Sequence, residues 1–405
     1  MVVNLDIFLL EFALLLILVA YTLRSFQITD QKVIFIAIVL LLAFGVISIF
    51  GLNRWKWGRI RIMILVLLIV IVYGFLLQRE VKARIADNNS KSVHDGVILT
   101  EASYRALISG ENPYSVNFTG TLIGQKYFDS QIRPTIHYPY SPLMFLTSVP
   151  VFFVTERLFG IIDMRITLFV FFLLSAWIGA LVVREKILFL ILFLLNPLFV
   201  PMIFYGANEV ILLFFLILVL YFLNGKKTVL ASASMGLVAG TKLLFAPVVP
   251  LYFIYIFLVH KKDRKAVILN LKKFLLVSLL IYLPFLIWNS SDTLGALLSP
   301  WFGAGEELYP IAGFVGVAQF LTSLGVVTRT STFPFLILFL PFEIIFLVFS
   351  FRFLKKSLSV HILTVLFAFN FILVLAFSRL VQTYYLAFIS QILLLSAFVG
   401  RDKKE

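Results

Sequence analysis

The chain has 405 residues, 61% of them hydrophobic and 13% charged, and a formal net charge of +14 at neutral pH. Soluble domains are typically about half apolar and a quarter charged, so this composition belongs in lipid. Its basic residues sit in short clusters between apolar runs and form no stripe or aromatic reading surface, which speaks against a nucleic-acid partner, and the lack of cysteine excludes disulfides, thiolate metal ligands and thiol catalysis.

Runs of about 20 apolar residues are long enough to cross a bilayer. In chain order they fall near 6–23, 32–51, 60–78, 162–183, 186–204, 208–224, 228–241, 242–259, 272–289, 334–353, 360–377 and 380–399. These runs predict an all-α, multi-pass membrane protein with about 12 crossings. The first run has no basic leader and no small-residue cleavage site, and reads as a retained anchor. Gly240, Pro247 and Pro250 interrupt the seventh and eighth runs, so either one broken helix or a hairpin fits there.

Loop charge separates those two options, because short Lys/Arg-rich loops stay cytoplasmic. Clusters occur at Arg54/Lys56/Arg59/Arg61, Arg184/Lys186, Lys226/Lys227, Lys261/Lys262/Arg264/Lys265, Arg352/Lys355/Lys356 and Arg401/Lys403/Lys404. A hairpin puts all of them on one face, whereas a single broken helix would split the Lys226 and Lys261 clusters. Both termini are then cytoplasmic. The chain divides into three N-terminal crossings (1–79), a long outer loop (80–161), a transmembrane core (162–399) with a second outer loop at 290–333, and a short tail (400–405). Whether 311–327 re-enters the membrane is left open by its composition.

Two short helices are expected in the first outer loop. Val97 to Ser109 carries an apolar stripe at helical spacing and is stopped by Gly110 and Pro113. Ser141-Pro142 starts a second one, running through Leu143 to Val154. Both read as too short to span and are expected along the membrane surface.

The few polar residues gather on this outer side. Asp95 stands immediately before the first surface helix and reads either as an N-cap or as a catalytic carboxylate; His94 beside it reads as a structural or contacting residue. Lys242, in Gly240-Thr-Lys, sits at an outer turn where a charge is costly unless it faces protein, water or a partner, with snorkelling as the alternative. Arg379, with Gln382, Tyr384 and Tyr385, opens the last crossing, where a guanidinium and a helix N-terminus suit phosphate and an aromatic-basic anchor is the competing reading. Asn208-Glu209 opens the sixth crossing as cap or substrate contact, and His137-Tyr-Pro-Tyr precedes the second surface helix. The four histidines show no paired ligand spacing, and Walker and dinucleotide fingerprints are absent.

Taken in order, these segments resemble the GT-C glycosyltransferases, in particular the glycosylphosphatidylinositol first mannosyltransferases and the family 87 mannosyltransferases. The resemblance rests on Asp95-Gly-Val-Ile-Leu-Thr-Glu-Ala through Gly110-Glu-Asn-Pro-Tyr, on His137-Tyr-Pro-Tyr-Ser-Pro-Leu, and on Asn196-Pro-Leu followed by Gly206-Ala-Asn-Glu. Gly236-Leu-Val-Ala-Gly-Thr-Lys and Ser378-Arg-Leu-Val-Gln-Thr-Tyr-Tyr complete it, over roughly residues 80–399. The resemblance implies a GT-C-like fold and inverting transfer of a sugar, mannose in the nearest families, from a polyprenyl or dolichyl phosphate carrier to a glycolipid or glycan acceptor on the extracytoplasmic face. It implies Asp95 as base, Lys242, Arg379 and Tyr384 at the donor phosphate, and His94, Glu101, His137, Tyr138, Asn208 and Glu209 as sugar or acceptor contacts. In the glycosylphosphatidylinositol enzymes two acidic residues flank one position in this loop; here Val93 occupies the first, which puts a metal requirement in doubt. A polyprenyl-linked lipid flippase and an outer-face glycan polymerase or ligase are the alternatives.

Overall fold

Backbone N–H and C=O groups in lipid must bond to one another, and the helix is the local way to do so. Helices dominate the computed structural model of this protein, which describes residues 5–50, 55–87, 93–118, 137–302, 311–313, 315–329, 331, 333 and 335–399. The tail at 400–405 and the polar stretch 119–136 lie outside the described residues. The N-terminal group is α1 (Leu5–Ser25), α2 (Gln31–Phe50) and α3 (Trp55–Asp87). Then come α4 (Asp95–Ile108), α5 (Pro142–Leu146) and α6 (Val149–Phe159). Helices α7 (Met164–Val182), α8 (Lys186–Leu194), α9 (Val200–Tyr205), α10 (Glu209–Asn224), α11 (Thr228–Ala239), α12 (Val248–Val259) and α13 (Arg264–Trp288) lead to the second long connection. That connection holds α14 (Ser290–Phe302), β1 (Ala312–Gly313) and α15 (Val317–Ser323), and α16 (Phe335–Lys356), α17 (Val360–Ala376), β2 (Leu380–Val381) and α18 (Thr383–Phe398) close the chain.

This is an all-α membrane protein. Among the described residues, six stretches are long and apolar enough to cross a bilayer: Gln31–Ser48, Trp57–Ala86, Pro142–Phe159, Met164–Val182, Arg264–Trp288 and Ile337–Lys356. Five further apolar helices are shorter, α10, α11, α12, α17 and α18.

Several boundaries differ from the sequence reading, each for a local reason. Helix α3 passes the expected end at 79 and reaches Asp87; its 33 residues make it about 50 Å long, well beyond the roughly 30 Å of hydrocarbon. Its polar last turns are held by Arg84, which pairs with Glu101 and Asp163. The expected crossing at 186–204 is two helices, because Pro197 cannot continue a helix and the Asn196 side chain accepts the N–H groups of Leu198 and Phe199 at 2.9 and 3.3 Å. The second outer-loop segment likewise breaks at Thr147-Ser148, where Pro150 lies in the first turn of α6. It continues beyond Val154 to Phe159, and the combined stretch from Pro142 is as long as a crossing. An addition no helical pattern announces is the parallel pairing of β1 with β2, Ala312 with Leu380 and Gly313 with Val381.

Between 228 and 259 the chain forms an antiparallel pair. Thr228 Oγ1, at the start of α11, lies 3.0 Å from His260 Nε2 just after α12, and the Ser232 and Tyr252 hydroxyls are 2.8 Å apart. Those contacts lie at one end of the bundle, as do the Val183–Val399 bridge and the His361 to Ser396 carbonyl bond. At the other end Tyr282 donates to the Ala239 carbonyl and lies 2.8 Å from Ser141 Oγ. There the starts of α4, α10 and α18 meet the turn after α11.

Candidate functional site

Asp95 is the first residue of α4, and His94 is its N-cap. The cap reading of Asp95 is therefore replaced by an arrangement in which both residues serve the helix start. Gly96 N–H lies 2.7 Å from Asp95 Oδ1 and 2.9 Å from His94 Nδ1, and that nitrogen is 2.9 Å from Asp95 Oδ1. The Gly96 N–H is thus offered two acceptors, and the His94 ring nitrogen and the Asp95 carboxylate lie side by side. The His94 ring is packed edge-on between Tyr205 and Tyr384.

Two devices hold this helix start in place. His94 N–H donates to the Tyr205 carbonyl at 2.7 Å, and the next residue, Gly206, has φ +97° with the Val97 side chain packed where a Cβ would stand. On the opposite face of α4, Arg84 grips Glu101 with two hydrogen bonds of 2.8 and 2.7 Å, Glu101 also accepts the Met164 N–H, and Asp163 bridges Arg84 to buried Arg165. Charges of both signs are thus paired in one buried network.

Lys242 reaches into the same end of the bundle from the turn after α11. Its ammonium donates to Asn208 Oδ1 at 3.0 Å, is ion-paired with Glu209, and lies 5.1 to 5.8 Å from the ring centres of Tyr140, Tyr384 and Tyr385. Asn208 Nδ2 and Glu209 Oε2 are buried with no hydrogen-bond partner among the described residues. Tyr140 is held by Tyr114, whose hydroxyl donates to the Tyr140 carbonyl at 2.8 Å. The Gly-Glu-Asn-Pro-Tyr and Tyr-Pro-Tyr segments, distant in sequence, thereby become one wall.

A cavity of about 130 Å³ opens in front of these groups. Its polar lining includes Asp95, Tyr140, Lys242, Arg379, Tyr384 and Tyr385, and its apolar lining includes Leu243, Leu244, Phe335, Phe339, Val374 and Phe377. Arg379 donates to the carbonyls of Ser331 and Phe333, and its own carbonyl accepts the Ala312 N–H at 3.0 Å, so the β1–β2 pairing docks the second long connection on the arginine segment.

Electrostatics follow from this packing. Burial acts to raise the Asp95 pKa, but His94, the Gly96 N–H and Lys242 outweigh it and bring it to about 2, so the carboxylate is ionised. Burial acts to lower that of Lys242, while Glu209, Tyr385 and Asp95 carry it above the ordinary lysine value and keep the cation. Arg379 is lowered by burial, from a value high enough that the group stays charged.

The structure brings Asp95, Lys242, Arg379 and Tyr384 to one cavity, with His94, Asn208 and Glu209 directly behind them. It does not bring the other three. Glu101 is taken up by Arg84 and Met164; Tyr138 is buried among Tyr114, Tyr140 and Phe145 with its hydroxyl 3.3 Å from Thr100; His137 Nδ1 lies 3.0 Å from the Val116 carbonyl. Tyr140 and Tyr385 also line the cavity; the sequence reading named both segments but gave neither residue a site role. The signal for Tyr140 lay in the tyrosine–proline alternation, since residues beside proline are extended and neighbouring side chains diverge. Val93 is buried and apolar, and no three His, Asp or Glu side chains converge as metal ligands among the described residues; this residue set does not fit a metal, and no step is assigned to one. Comparison with protein families, with curated proteins and with solved structures finds no match to the chain.

Proposed function

We propose that the protein is a membrane glycosyltransferase of GT-C type, transferring a sugar, mannose by the resemblance, from a polyprenyl phosphate carrier to a glycolipid or glycan acceptor. The observation that carries this reading is the mixed lining of the cavity: two cations and a carboxylate together with a set of apolar side chains. A lipid-linked sugar phosphate offers both kinds of surface, and its reacting anomeric carbon lies within the polar head, between sugar and phosphate.

In this reading the acceptor hydroxyl attacks the anomeric carbon as the bond from that carbon to the phosphate oxygen breaks, giving inversion. The hydroxyl proton passes to Asp95, and the bonding electron pair leaves with the polyprenyl phosphate, whose added negative charge Lys242 and Arg379 neutralise. General-base assistance is worth about 10² to 10⁴ in rate, and fixed cations at the developing charge a comparable factor. Tyr384 and Tyr385 confine Lys242. Asn208 and Glu209 lie behind the cavity wall and hold the Lys242 ammonium in place.

The same reading takes the cavity end as extracytoplasmic. The Lys226/Lys227 and Lys261–Lys265 connections and the Arg184/Lys186 turn lie at the opposite end of the bundle, and the positive-inside rule puts that end in the cytoplasm. About 12 crossings with both termini cytoplasmic, and α4 along the outer surface, complete the topology.

The test is incubation of the purified protein with labelled polyprenyl-phosphate sugars and a native lipid extract, followed by identification of the labelled product. Asp95→Asn is expected to remove transfer while leaving the protein folded and inserted. Full transfer by that variant would remove Asp95 as the base, and uptake of the lipid without transfer would replace the enzyme by a transporter.

A further inference from the structure

Glu343 lies on α16, a helix long and apolar enough to cross the bilayer, and takes no part in the cavity lining. It follows Phe335, the start of the helix, by about 12 Å along the axis, toward the middle of a hydrocarbon layer roughly 30 Å thick. Leu340, Phe342, Ile344 and Ile345 around it are exposed and apolar, while Glu343 itself is 6% exposed and turned inward. Its partner is Asn370 of α17, fully buried, whose Nδ2 donates to both carboxyl oxygens at 2.9 Å. Asn370 Oδ1 is buried with no hydrogen-bond partner among the described residues.

The charged groups of the neighbouring elements are engaged elsewhere. Helix α16 packs against α12 and α17. Helix α12 carries no charged residue, and of its tyrosines Tyr252 pairs with Ser232. His361 of α17 is bonded to the Ser396 carbonyl, more than two turns from Asn370, and Arg379 beyond that helix donates to the Ser331 and Phe333 carbonyls. On α16 itself, Arg352, Lys355 and Lys356 stand about 13 Å or more further along the axis. Among the described residues Glu343 therefore has an amide partner and no ion pair.

A carboxylate only accepts hydrogen bonds, so it satisfies Nδ2 and leaves Oδ1 orphaned, with its own charge unpaired in lipid. A carboxylic acid is donor and acceptor at once. With one proton added, its O–H serves Oδ1, its second oxygen accepts from Nδ2, and the pair carries no net charge. We infer that Glu343 and Asn370 form a proton-binding site inside the membrane, the proton held on the carboxyl group and donated to Asn370 Oδ1. Hydrogen bonds are among the few interactions that hold helices together in lipid. This one lies one turn from Phe339 on α16 and from Val374 on α17, both in the cavity lining, so the proton ties together two helices of the cavity wall. The inference does not depend on the transferase reading.

The experiment is infrared spectroscopy of the full-length protein in lipid nanodiscs at neutral pH, wild type minus Glu343→Gln. Glutamine keeps the shape of the side chain and pairs with an amide through both of its polar atoms. The expected difference is the carbonyl stretch of a single protonated carboxylic acid, shifted down in D2O, with no carboxylate bands. Asn370→Val gives a second readout, in which the acid band persists and moves to higher frequency because its acceptor is gone. Carboxylate bands in place of the acid band overturn the site, and their response to added sodium would identify a metal cation as the occupant instead. An acid band unmoved by Asn370→Val would show that the proton is not on Oδ1. Raising the pH should lower the melting temperature of the wild type more than that of Glu343→Gln, since ionisation strands a charge only in the former; equal falls would show that the proton does not tie the helices.

Discussion

Lys242 has two jobs, and they can be separated by substitution. Its ammonium is the partner of Glu209, which is 1% exposed, and it faces the cavity that is proposed to hold a phosphate. Lys242→Met removes the cation and leaves the Glu209 carboxylate buried with neither Oε1 nor Oε2 paired, since Oε2 is already without a partner. Breaking a buried pair from one side costs about 3 to 5 kcal/mol, whereas removing both charges together is often close to neutral. Lys242→Met should therefore lower the melting temperature of the detergent-purified protein markedly, and Lys242→Met/Glu209→Gln should recover most of the loss, to within about 1 kcal/mol of the wild type. Transfer should remain absent in the double variant, because its restored stability brings back no charge for the leaving phosphate. The assay is thermal unfolding followed by tryptophan fluorescence, paired with the labelled-sugar transfer reaction on the same preparations. Two results would refute the reasoning: a single variant as stable as the wild type would show the pair to be uncoupled, and a stable double variant with full transfer would take Lys242 out of the chemistry.

Gly206→Ala should destabilise the protein and reduce transfer, because the residue sits at φ +97° and the added Cβ would lie 2.1 Å from Val97 Cγ2 on the helix that carries Asp95; melting temperature and transfer rate check it, and a neutral outcome would show that this turn does not position α4. Arg84→Met should cost about 3 to 5 kcal/mol by stranding Glu101 and part of the Asp163 charge, read as a fall in melting temperature that Glu101→Gln partly reverses. With pH, the depressed Asp95 pKa means that the stability this group contributes is complete above about pH 4, its ordinary value, and is lost as pH falls through about 2. The kcat/KM profile should accordingly show no Asp95-dependent fall between about pH 8 and pH 5, and an acid limb in that range that disappears in Asp95→Asn would contradict the ionisation derived for the free protein.

How far the sequence reaches depends on what each feature answers to. Helical membrane character followed from the apolar runs alone, because the environment imposes it on the backbone. The antiparallel pair at 228–259 followed from the sidedness of Lys226/Lys227 and the Lys261 cluster, and Thr228 beside His260 agrees. Breaks at Asn196-Pro197 and Thr147-Ser148 carried local signals that length-based counting of apolar residues overrode. Glu101 was out of reach for another reason: a carboxylate six residues beyond Asp95 looks the same in sequence whether it faces a cavity or Arg84. Its partner comes from α3, 17 positions earlier, in a segment assigned to the loop. The β1–β2 pairing, two residues from each of two distant segments, leaves no periodicity to read.

Asp95 also answers a question raised by its position. A carboxylate held at about 2 is a weak base, and general-base catalysis works best when the pKa lies near the working pH. Lys242 is one of the groups that hold it down, and that cation is also the nearest candidate for the donor phosphate. In the proposed reaction a bound phosphate would bring negative charge to the ammonium and oppose its pull on Asp95, so the carboxylate would become a stronger base when donor is present. The His94 hydrogen bond meanwhile keeps the group oriented and ionised between turnovers. A lone first-loop carboxylate, with Val93 where a second would stand, can in this way be tuned by its substrate instead of by a neighbouring acid.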